Sequence, residues 1–347
     1  MDNRQVVIAA LPTDKLEPEH FALQTAPLPE PGEGEVLCRT LVLTVGAGQR
    51  AGLQGSASYA GAPRSGIVMG GSAVARVEKS NDARVPVGSL VTCPAGWQDY
   101  SVHRASGLQV VDEPSAGERE GPAPRKKKGD PAHHLGVYGT NGLTAYFGFF
   151  DLGEPKPGQT VVVSAAAGSV GHLVGQMAKI SGCRAVGVAG SDDKCRMLCA
   201  DLGFDAAVNY RHGGFRDEFK EACGDGIDIY FDNTGGEILG GALRRMKPHG
   251  RIVCCGVVSQ YDTGNPAPGP RGIPGLLVNN RVRMEGFLVF DYADRYAEGR
   301  AQMKAWVDSG ELKPLQDEFH GLEEAPRAFI DMLAGGNVGT RIIRVAD

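Results

Sequence analysis

The sequence contains no long apolar run. None of its hydrophobic stretches approaches the ~18 uncharged apolar residues that mark a membrane helix. Its N-terminal stretch, Met1–His20, has no apolar core of the kind found in signal peptides. We therefore expect a cytosolic protein.

An excess of positive charge is also missing. Lys and Arg number 36 against 41 Asp and Glu in 347 residues, which gives a formal net charge of −5. Such a balance supplies no overall attraction to phosphate backbones or anionic membrane surfaces. Nucleic acid and membranes are therefore poor candidate partners.

Metal-binding and disulfide patterns are missing as well. The eight cysteines include no C-x-x-C pair, and a chain of this size needs no disulfide staples, so we expect reduced thiols. A zinc site needs spaced Cys and His ligands. Cys254–Cys255 lies in a predicted strand, and His133–His134 has no further spaced ligands. The sequence therefore predicts no metal.

The chain is long enough for two domains. From Gln5 to Val111, short β-like runs alternate with Gly, Pro, Asn and Asp, as in small barrels. Residues 113–131, rich in Pro, Gly and charge, predict an exposed loop. From Gln159 strands alternate with helices, which predicts an α/β domain with a doubly wound parallel sheet.

The predicted elements of this second part are as follows. The strands are Thr160–Ser164, Arg184–Ala189, Val208–Tyr210, Ile227–Asp232, Arg251–Gly256 and Arg281–Phe290. The helices are Val170–Ser181, one that opens at Ser191, and Ala293–Ser309, with a Gly/Pro-rich loop over Asp262–Gly275. The tail Gly339–Val345 is β-like again.

A turn of small residues, Ala165–Gly171, joins the first of these strands to a helix. Small residues let the backbone approach a pyrophosphate, and the helix N-terminus offers unpaired N–H donors. The strand, turn and helix context favours dinucleotide binding. A plain packing turn is the alternative, because Ala stands where the first Gly of G-x-G-x-x-G would be.

The end of the second strand indicates which dinucleotide. NAD-binding folds place an acidic residue there for the ribose hydroxyl, whereas this strand ends in Ala189 and Gly190. Ser191 and Lys194 follow, where a 2′-phosphate would lie, so we expect NADPH. In the alternative, Ser191 only caps the helix, Lys194 is solvated, and Asp192 or Asp193 binds the ribose.

Five runs in a fixed order resemble the zinc-independent medium-chain dehydrogenases/reductases, in the branch of prostaglandin reductase and curcumin reductase. They are Gly96–Tyr100, Leu143–Tyr146, Ala165–Gly171, Gly190–Lys194 and Phe231–Gly236. The resemblance covers nearly the whole chain. It implies a GroES-like β-barrel domain over 1–131, completed by 310–347, a Rossmann NADPH domain over 132–309, and a homodimer.

The same resemblance implies a set of cofactor contacts. Together with Ser191 they are Gly168, Ser169, Val170, Gly171, Lys194, Tyr210, Asn233, Cys255, Gly256, Val257, Ser259, Tyr261, Phe287, Leu288, Val289 and Asn337. Two departures bear on substrate identity. Gly46–Arg50 replaces the branch's usual Asp-Pro-Tyr-Met-Arg, and Asn279 stands where prostaglandin reductases have a tyrosine implicated in catalysis.

Without a Lewis acid, reduction of a carbon–carbon double bond conjugated to a carbonyl is favoured over alcohol oxidation. Hydride adds to the β-carbon of the α,β-unsaturated ketone or aldehyde, and a hydrogen-bond donor stabilises the oxyanion. Tyr59, in a polar loop, is the expected donor because it resembles a tyrosine of curcumin reductase-like members. Tyr261 is the competing hydroxyl, and Tyr59 could instead only shape the pocket. A quinone reductase and a cofactor-binding protein without turnover remain the rival functions.

Overall fold

The computed structural model describes residues 2–57, 61–111, 130–266 and 268–346. The chain forms two compact units. The first comprises Met1–Gly136, Asp317–Gly336 and Arg341–Asp347, and the second comprises Val137–Gln316 and Asn337–Thr340. The division into a substrate domain and a cofactor domain, with the boundaries given above, stays a prediction.

The first unit is built on β-sheet, with strands numbered along the chain. They are β1 Asp2–Ile8, β2 Phe21–Pro27, β3 Glu35–Thr44, β4 Ala73–Ser80, β5 Leu90–Cys93, β6 Tyr100–Arg104, β7 Gln109–Val111, β14 Gln316–His320 and β15 Thr340–Arg344. Strands β1 and β2 pair with each other, and the others form a sheet of order β14-β15-β3-β4-β5-β7 in which β6 also pairs with β3. The β-like tail therefore pairs with a strand of the N-terminal region.

The core of this unit packs around Trp97, whose ring stacks on Phe21 at 5.4 Å and meets Phe329 edge-on at 5.7 Å. Phe329 belongs to α9 Ala325–Leu333, and the unit also contains α1 Ala47–Leu53. Strand β3 is buried along nearly its whole length because it pairs with β4, β6 and β15. Its buried residues are Val36, Leu37, Cys38, Thr40, Leu41, Val42 and Leu43.

The second unit is a parallel sheet with helices. Its strands are β8 Thr160–Ser164, β9 Arg184–Ala189, β10 Ala206–Asn209, β11 Ile227–Asp232, β12 Met246–Cys254 and β13 Arg283–Gly286. Its helices are α2 Thr140–Phe147, α3 Gly171–Ile180, α4 Asp192–Leu202, α5 Phe215–Cys223, α6 Gly236–Leu243, α7 Ile273–Asn280 and α8 Tyr296–Ser309. The strand order is β10-β9-β8-β11-β12-β13, and every pairing is parallel.

Successive residues of β8 enter two different apolar clusters. Val161 and Val163 pack in one cluster, and Val162 packs in the other. Because side chains alternate across a strand, both faces of the sheet are covered, which is why this strand is an unbroken run of Val. The order in which strands are added to the sheet reverses between β8 and β11, and ligands of such folds bind at this switch point, at the carboxyl ends of the strands. The predicted doubly wound Rossmann sheet is confirmed.

Several predicted element bounds were wrong. The strand predicted over Arg281–Phe290 spans only Arg283–Gly286, and a 3₁₀ helix covers Val289–Arg295. Of the apolar residues that follow the strand, Phe287 and Val289 pack into the core. The loop predicted over Asp262–Gly275 runs into α7, which begins at Ile273 with Pro in its first turn. The last long helix begins at Tyr296, and the third strand ends at Asn209.

The exposed loop was predicted over 113–131. Residues 113–129 lie outside the described residues, and Pro131 begins a short 3₁₀ helix. No helix within the described ranges is long and apolar enough to cross a membrane.

Candidate dinucleotide-binding site

The predicted cofactor residues of the second unit gather at one edge of its sheet. Apart from Asn337, each follows the end of a strand, and the strands concerned are β8, β9, β10, β11, β12 and β13. Because all six strands are parallel, their carboxyl ends meet at the same edge. Fold topology thus brings together segments that are more than a hundred residues apart in sequence.

The turn after β8 fits a ligand that approaches the backbone. Ala165 adopts a φ of +47°, and its carbonyl accepts a hydrogen bond from the Gly168 N–H at 2.9 Å. A Cβ placed on Gly171 would lie 2.4 Å from the Ala165 oxygen and 2.8 Å from the Ala166 Cα. Only glycine therefore fits at the first residue of α3, where no Cβ stands beside the backbone N–H.

The buried side chain of His172 makes a hydrogen bond to this turn. His172 is 1% exposed. Its Nδ1 lies 2.8 Å from the Gly168 carbonyl oxygen, and its Nε2 accepts from the Leu315 N–H at 3.1 Å. Since Nε2 accepts, Nδ1 carries the proton and donates to Gly168. Burial lowers the pKa of His172 to about 4, so the ring is neutral at physiological pH.

The segment around residue 339 braces the same turn. The Gly339 N–H donates to the Ala167 carbonyl at 2.8 Å, and the hydroxyls of Ser169 and Thr340 lie 2.6 Å apart. Asn337, a predicted cofactor contact, donates through Nδ2 to the Gly339 carbonyl at 2.9 Å. One of its amide hydrogens is therefore used to shape this segment.

Ser191 and Lys194, from which the sequence predicts NADPH, follow the end of β9. The Ser191 hydroxyl accepts from the Lys194 N–H at 3.3 Å, so Ser191 is the N-cap of α4. Asp192 accepts from Asn209 Nδ2 at 2.8 Å and lies 3.0 Å from His212 Nε2. These two partners lower the pKa of Asp192, Asn209 most.

Tyr210 follows β10 and lies beside the glycine at the end of β9. Its N–H donates to the Ala189 carbonyl at 3.0 Å. A Cβ on Gly190 would lie 3.2 Å from the Tyr210 ring and 3.5 Å from Arg211 Nε. The structure thus brings Arg211, which the sequence prediction did not include, to the same place as Tyr210.

A buried polar cluster forms where β8 and β11 end. The Ser164 hydroxyl accepts from the Asn233 N–H at 2.9 Å, and the Ser164 carbonyl accepts from Asn233 Nδ2 at 2.7 Å. Asp232 Oδ1 accepts from the N–H groups of Thr234 and Gly235 at 3.0 and 2.8 Å. Sequence reasoning identified Asn233 but missed Ser164 and Asp232. The available signal was a polar residue at the end of each otherwise apolar strand.

The segments after β12 and β13 complete this edge of the sheet. The Cys255 and Gly256 N–H groups donate to the Asp232 carbonyl at 2.8 and 3.1 Å. A Cβ on Gly235 would lie 3.0 Å from Val257 Cγ2. A Cβ on Gly236 would lie 2.9 Å from the Ser259 hydroxyl. Burial raises the pKa of the Cys255 thiol to about 12, so this thiol is not a nucleophile at neutral pH.

The side chains of Phe287–Val289, the predicted cofactor contacts after β13, differ in burial. The Phe287 ring fills the space beside Gly148, where a Cβ would lie 2.5 Å from it. Val289 is buried and its carbonyl accepts from the Tyr296 hydroxyl at 3.0 Å, whereas Leu288 is exposed.

The comparisons with known proteins agree with this architecture. The family described as the N-terminal domain of oxidoreductase matches residues 4–111, and the family described as zinc-binding dehydrogenase matches residues 169–305. The chain is 38% identical, over 99% of its length and 97% of the relative's, to the NADPH-dependent curcumin reductase of Escherichia coli (strain K12). The chain belongs to the medium-chain dehydrogenase/reductase family.

Two further members of this family are similar over most of the chain. The 2-alkenal reductase (NADP(+)-dependent) of Nicotiana tabacum is 36% identical over 91% of this chain and 88% of its own length. The crystal structure of CurA in complex with NADPH from Vibrio vulnificus has a TM-score of 0.91, with 36% identity and 99% of both chains covered. The predicted GroES-like and Rossmann fold of the family is thus confirmed.

One of the two matching families is described as zinc-binding, whereas the sequence predicts no metal. Among the residues that the structure describes, no three His, Cys, Asp or Glu side chains form a group that could hold a metal ion. Independence from zinc stays a prediction.

The residues predicted for catalysis lie in different parts of the chain. Tyr59 lies within residues 58–60, outside the described residues. Tyr261 follows the segment after β12, and its N–H donates to the Val258 carbonyl at 3.1 Å. Asn279 is exposed near the end of α7. Gly46–Arg50 covers the N-cap and first turn of α1, where the buried Arg50 donates to the Asp14 carbonyl at 2.6 Å.

Proposed function

We propose that this chain uses NADPH to reduce the carbon–carbon double bond of α,β-unsaturated ketones and aldehydes. The observation that carries the proposal is near full-length similarity, at 36–38% identity, to an NADPH-dependent curcumin reductase and an NADP-dependent 2-alkenal reductase. The site at the carboxyl edge of the sheet supports it independently, because its shape and chemistry suit a dinucleotide.

The residues present fit the cofactor. At Gly171 no side chain can be added, and at Gly168 a Cβ would lie 3.2 Å from the Ala165 oxygen, so a phosphate meets bare backbone. We assign the pyrophosphate to Gly168–Gly171. The ends of β9 and β10, with Ser191, Lys194 and Tyr210, hold the adenosine half.

The other half of the cofactor lies along the ends of β11, β12 and β13 in this proposal. Asn233, Cys255–Tyr261 and Phe287–Val289 would hold the nicotinamide half, because the two halves of a dinucleotide bind on either side of the switch point. The polar cluster of Ser164, Asn233 and Asp232 keeps the backbone at that switch point rigid.

Bound NADPH supplies the hydride that is added to the β-carbon of the substrate. The chain's own contribution is to hold both reactants and to stabilise the negative charge that develops on the carbonyl oxygen. We propose the Tyr59 hydroxyl as the hydrogen-bond donor and as the source of the proton that completes the α-carbon, with Tyr261 as the competing hydroxyl. A conjugated double bond accepts hydride without a metal, so zinc plays no part in the proposal.

We also propose a homodimer in the cytosol. Strand β13 lies at one end of its sheet order. Next to it in sequence are exposed apolar side chains on α7 and after β13, with Val278 73% and Phe290 54% exposed. An edge strand with neighbouring apolar surface suits pairing with a second copy.

The test of function is NADPH oxidation by the purified protein with a substrate panel. The panel contains short alkenals, aryl enones, oxo-prostanoids and quinones. Turnover of the enones and alkenals supports the proposal. Turnover of quinones alone indicates the rival quinone reductase, and binding of NADPH without turnover indicates a cofactor-binding protein.

A further inference from the structure

We propose that the guanidinium of Arg211 is a second cation for the 2′-phosphate of NADPH, beside Lys194. This inference rests on the proposed function, because it concerns the adenosine half of the same cofactor. It adds a residue that determines the choice between NADPH and NADH.

Arg211 lies beside Gly190, the residue that directly follows β9. A Cβ on Gly190 would lie 3.5 Å from Arg211 Nε and 3.3 Å from the Tyr210 hydroxyl. Dinucleotide-binding folds read the adenosine ribose at this position, with a carboxylate when the cofactor is NAD. Gly190 has no side chain, and the group nearest to it that carries a charge is the Arg211 guanidinium.

Arg211 contacts Asn209 through its backbone and Tyr210 through its side chain. Its N–H donates to Asn209 Oδ1 at 3.0 Å, and its Cζ lies 5.7 Å from the centre of the Tyr210 ring. The planar fork of a guanidinium suits two oxygens of one phosphate.

The nearby carboxylates are directed to other partners. Asn209 Nδ2 donates to Asp192 at 2.8 Å, and His212 lies against the same carboxylate. Asp193 pairs with Arg196. Asn209 thus links the two sides of the site, because it holds Asp192 through its Nδ2 and the Arg211 backbone through its Oδ1. In the alternative, Asp192 or Asp193 binds the ribose hydroxyls, and it predicts no preference for a ligand with a 2′-phosphate.

The test measures binding of adenosine 2′,5′-bisphosphate and of adenosine 5′-monophosphate by calorimetry, so that it needs no turnover. Loss of one charged hydrogen-bond pair corresponds to about 10- to 100-fold in affinity. We expect Arg211→Gln to weaken the bisphosphate by that factor and to leave the monophosphate within about twofold. Lys194→Ala should act in the same direction.

Two variants control for charge and folding. Arg216→Gln removes the same charge from an exposed position on α5 and should leave both ligands unchanged. Arg211→Lys keeps the charge without the planar fork and should give an intermediate loss. The proposal is overturned if Arg211→Gln binds the bisphosphate as tightly as the unmodified protein does. It is also overturned if the variant loses the same affinity for the bisphosphate and the monophosphate. If the unmodified protein binds both ligands equally, the NADPH assignment itself fails, whereas enone reduction with NADH would survive.

Discussion

His172 Nδ1 and the carbonyl oxygen of Gly168 lie 2.8 Å apart, and Gly168 is the first residue of the proposed pyrophosphate site. The same ring accepts from the Leu315 N–H through Nε2. A neutral imidazole with one donor and one acceptor satisfies both contacts. A protonated ring would turn Nε2 into a donor facing another donor, so the turn depends on the charge state of this histidine.

The first prediction is a pH dependence of stability. The folded-state pKa of His172 is about 4, below its ordinary value of 6.5. Between pH 6.5 and 4 the unfolded chain therefore takes up a proton that the folded chain does not, and stability falls as pH falls. The loss reaches about 3 kcal/mol near pH 4 and then levels off.

Urea unfolding of the wild type and of His172→Gln across this pH range measures the effect. Glutamine keeps a donor and an acceptor but does not titrate. The wild type should lose about 3 kcal/mol more than the variant between pH 7 and 4. Parallel stability curves for the two proteins would show that His172 does not control the turn.

The second prediction concerns the glycine that begins α3. Gly171→Ala places a methyl group 2.4 Å from the Ala165 backbone oxygen. A backbone atom cannot move aside as the end of a flexible side chain can, so the clash remains. We expect about 1–3 kcal/mol lower stability and at least tenfold weaker NADPH binding, measured by thermal unfolding and cofactor titration. Gly213→Ala is the matched control, since its Cβ would meet nothing within 4 Å. Equal cofactor affinity in both variants would refute a backbone-lined phosphate site.

The third prediction separates the two candidate hydroxyls. Tyr59→Phe keeps the ring and removes the hydroxyl, so a role as acid or oxyanion donor predicts a fall in kcat of roughly 10²-fold or more. Tyr261→Phe should change kcat much less, because Tyr261 is assigned to cofactor contact. An unchanged kcat with an altered KM for Tyr59→Phe would leave that residue as a determinant of pocket shape.

The fourth prediction is that turnover survives exhaustive chelation. Elemental analysis of the active protein should find less than one zinc per chain, and added zinc should not raise the rate. A stoichiometric metal whose removal abolishes activity, and whose return restores it, would overturn the metal-free mechanism.

Much of the site could be predicted because every cofactor segment except Asn337 follows the end of a strand, and the ends of strands can be recognised from apolar runs in the sequence. The contacts that fix the segments could not be predicted in this way. His172 with Leu315, and Ser164 with Asn233, join residues that are 143 and 69 positions apart, and no local pattern encodes such pairs.

The errors in the fold have local causes. An apolar run continues past β13 because Phe287 and Val289 pack into the core, and a run of this kind looks like a longer strand. Helix α7 was missed because it contains Pro274 and Gly275, and none of its side chains is fully buried. The arginine at the end of β10 was overlooked because its relation to Gly190 exists only once β9 and β10 pair.

The position of the transferred hydrogen tests the central claim most directly. The protein is incubated with an aryl enone and NADPH deuterated at both C4 positions, and the product is analysed by NMR. We predict a saturated ketone with one deuterium on the carbon that was β to the carbonyl, and a second new hydrogen from solvent on the α-carbon. An allylic alcohol with deuterium on the former carbonyl carbon would contradict double-bond reduction.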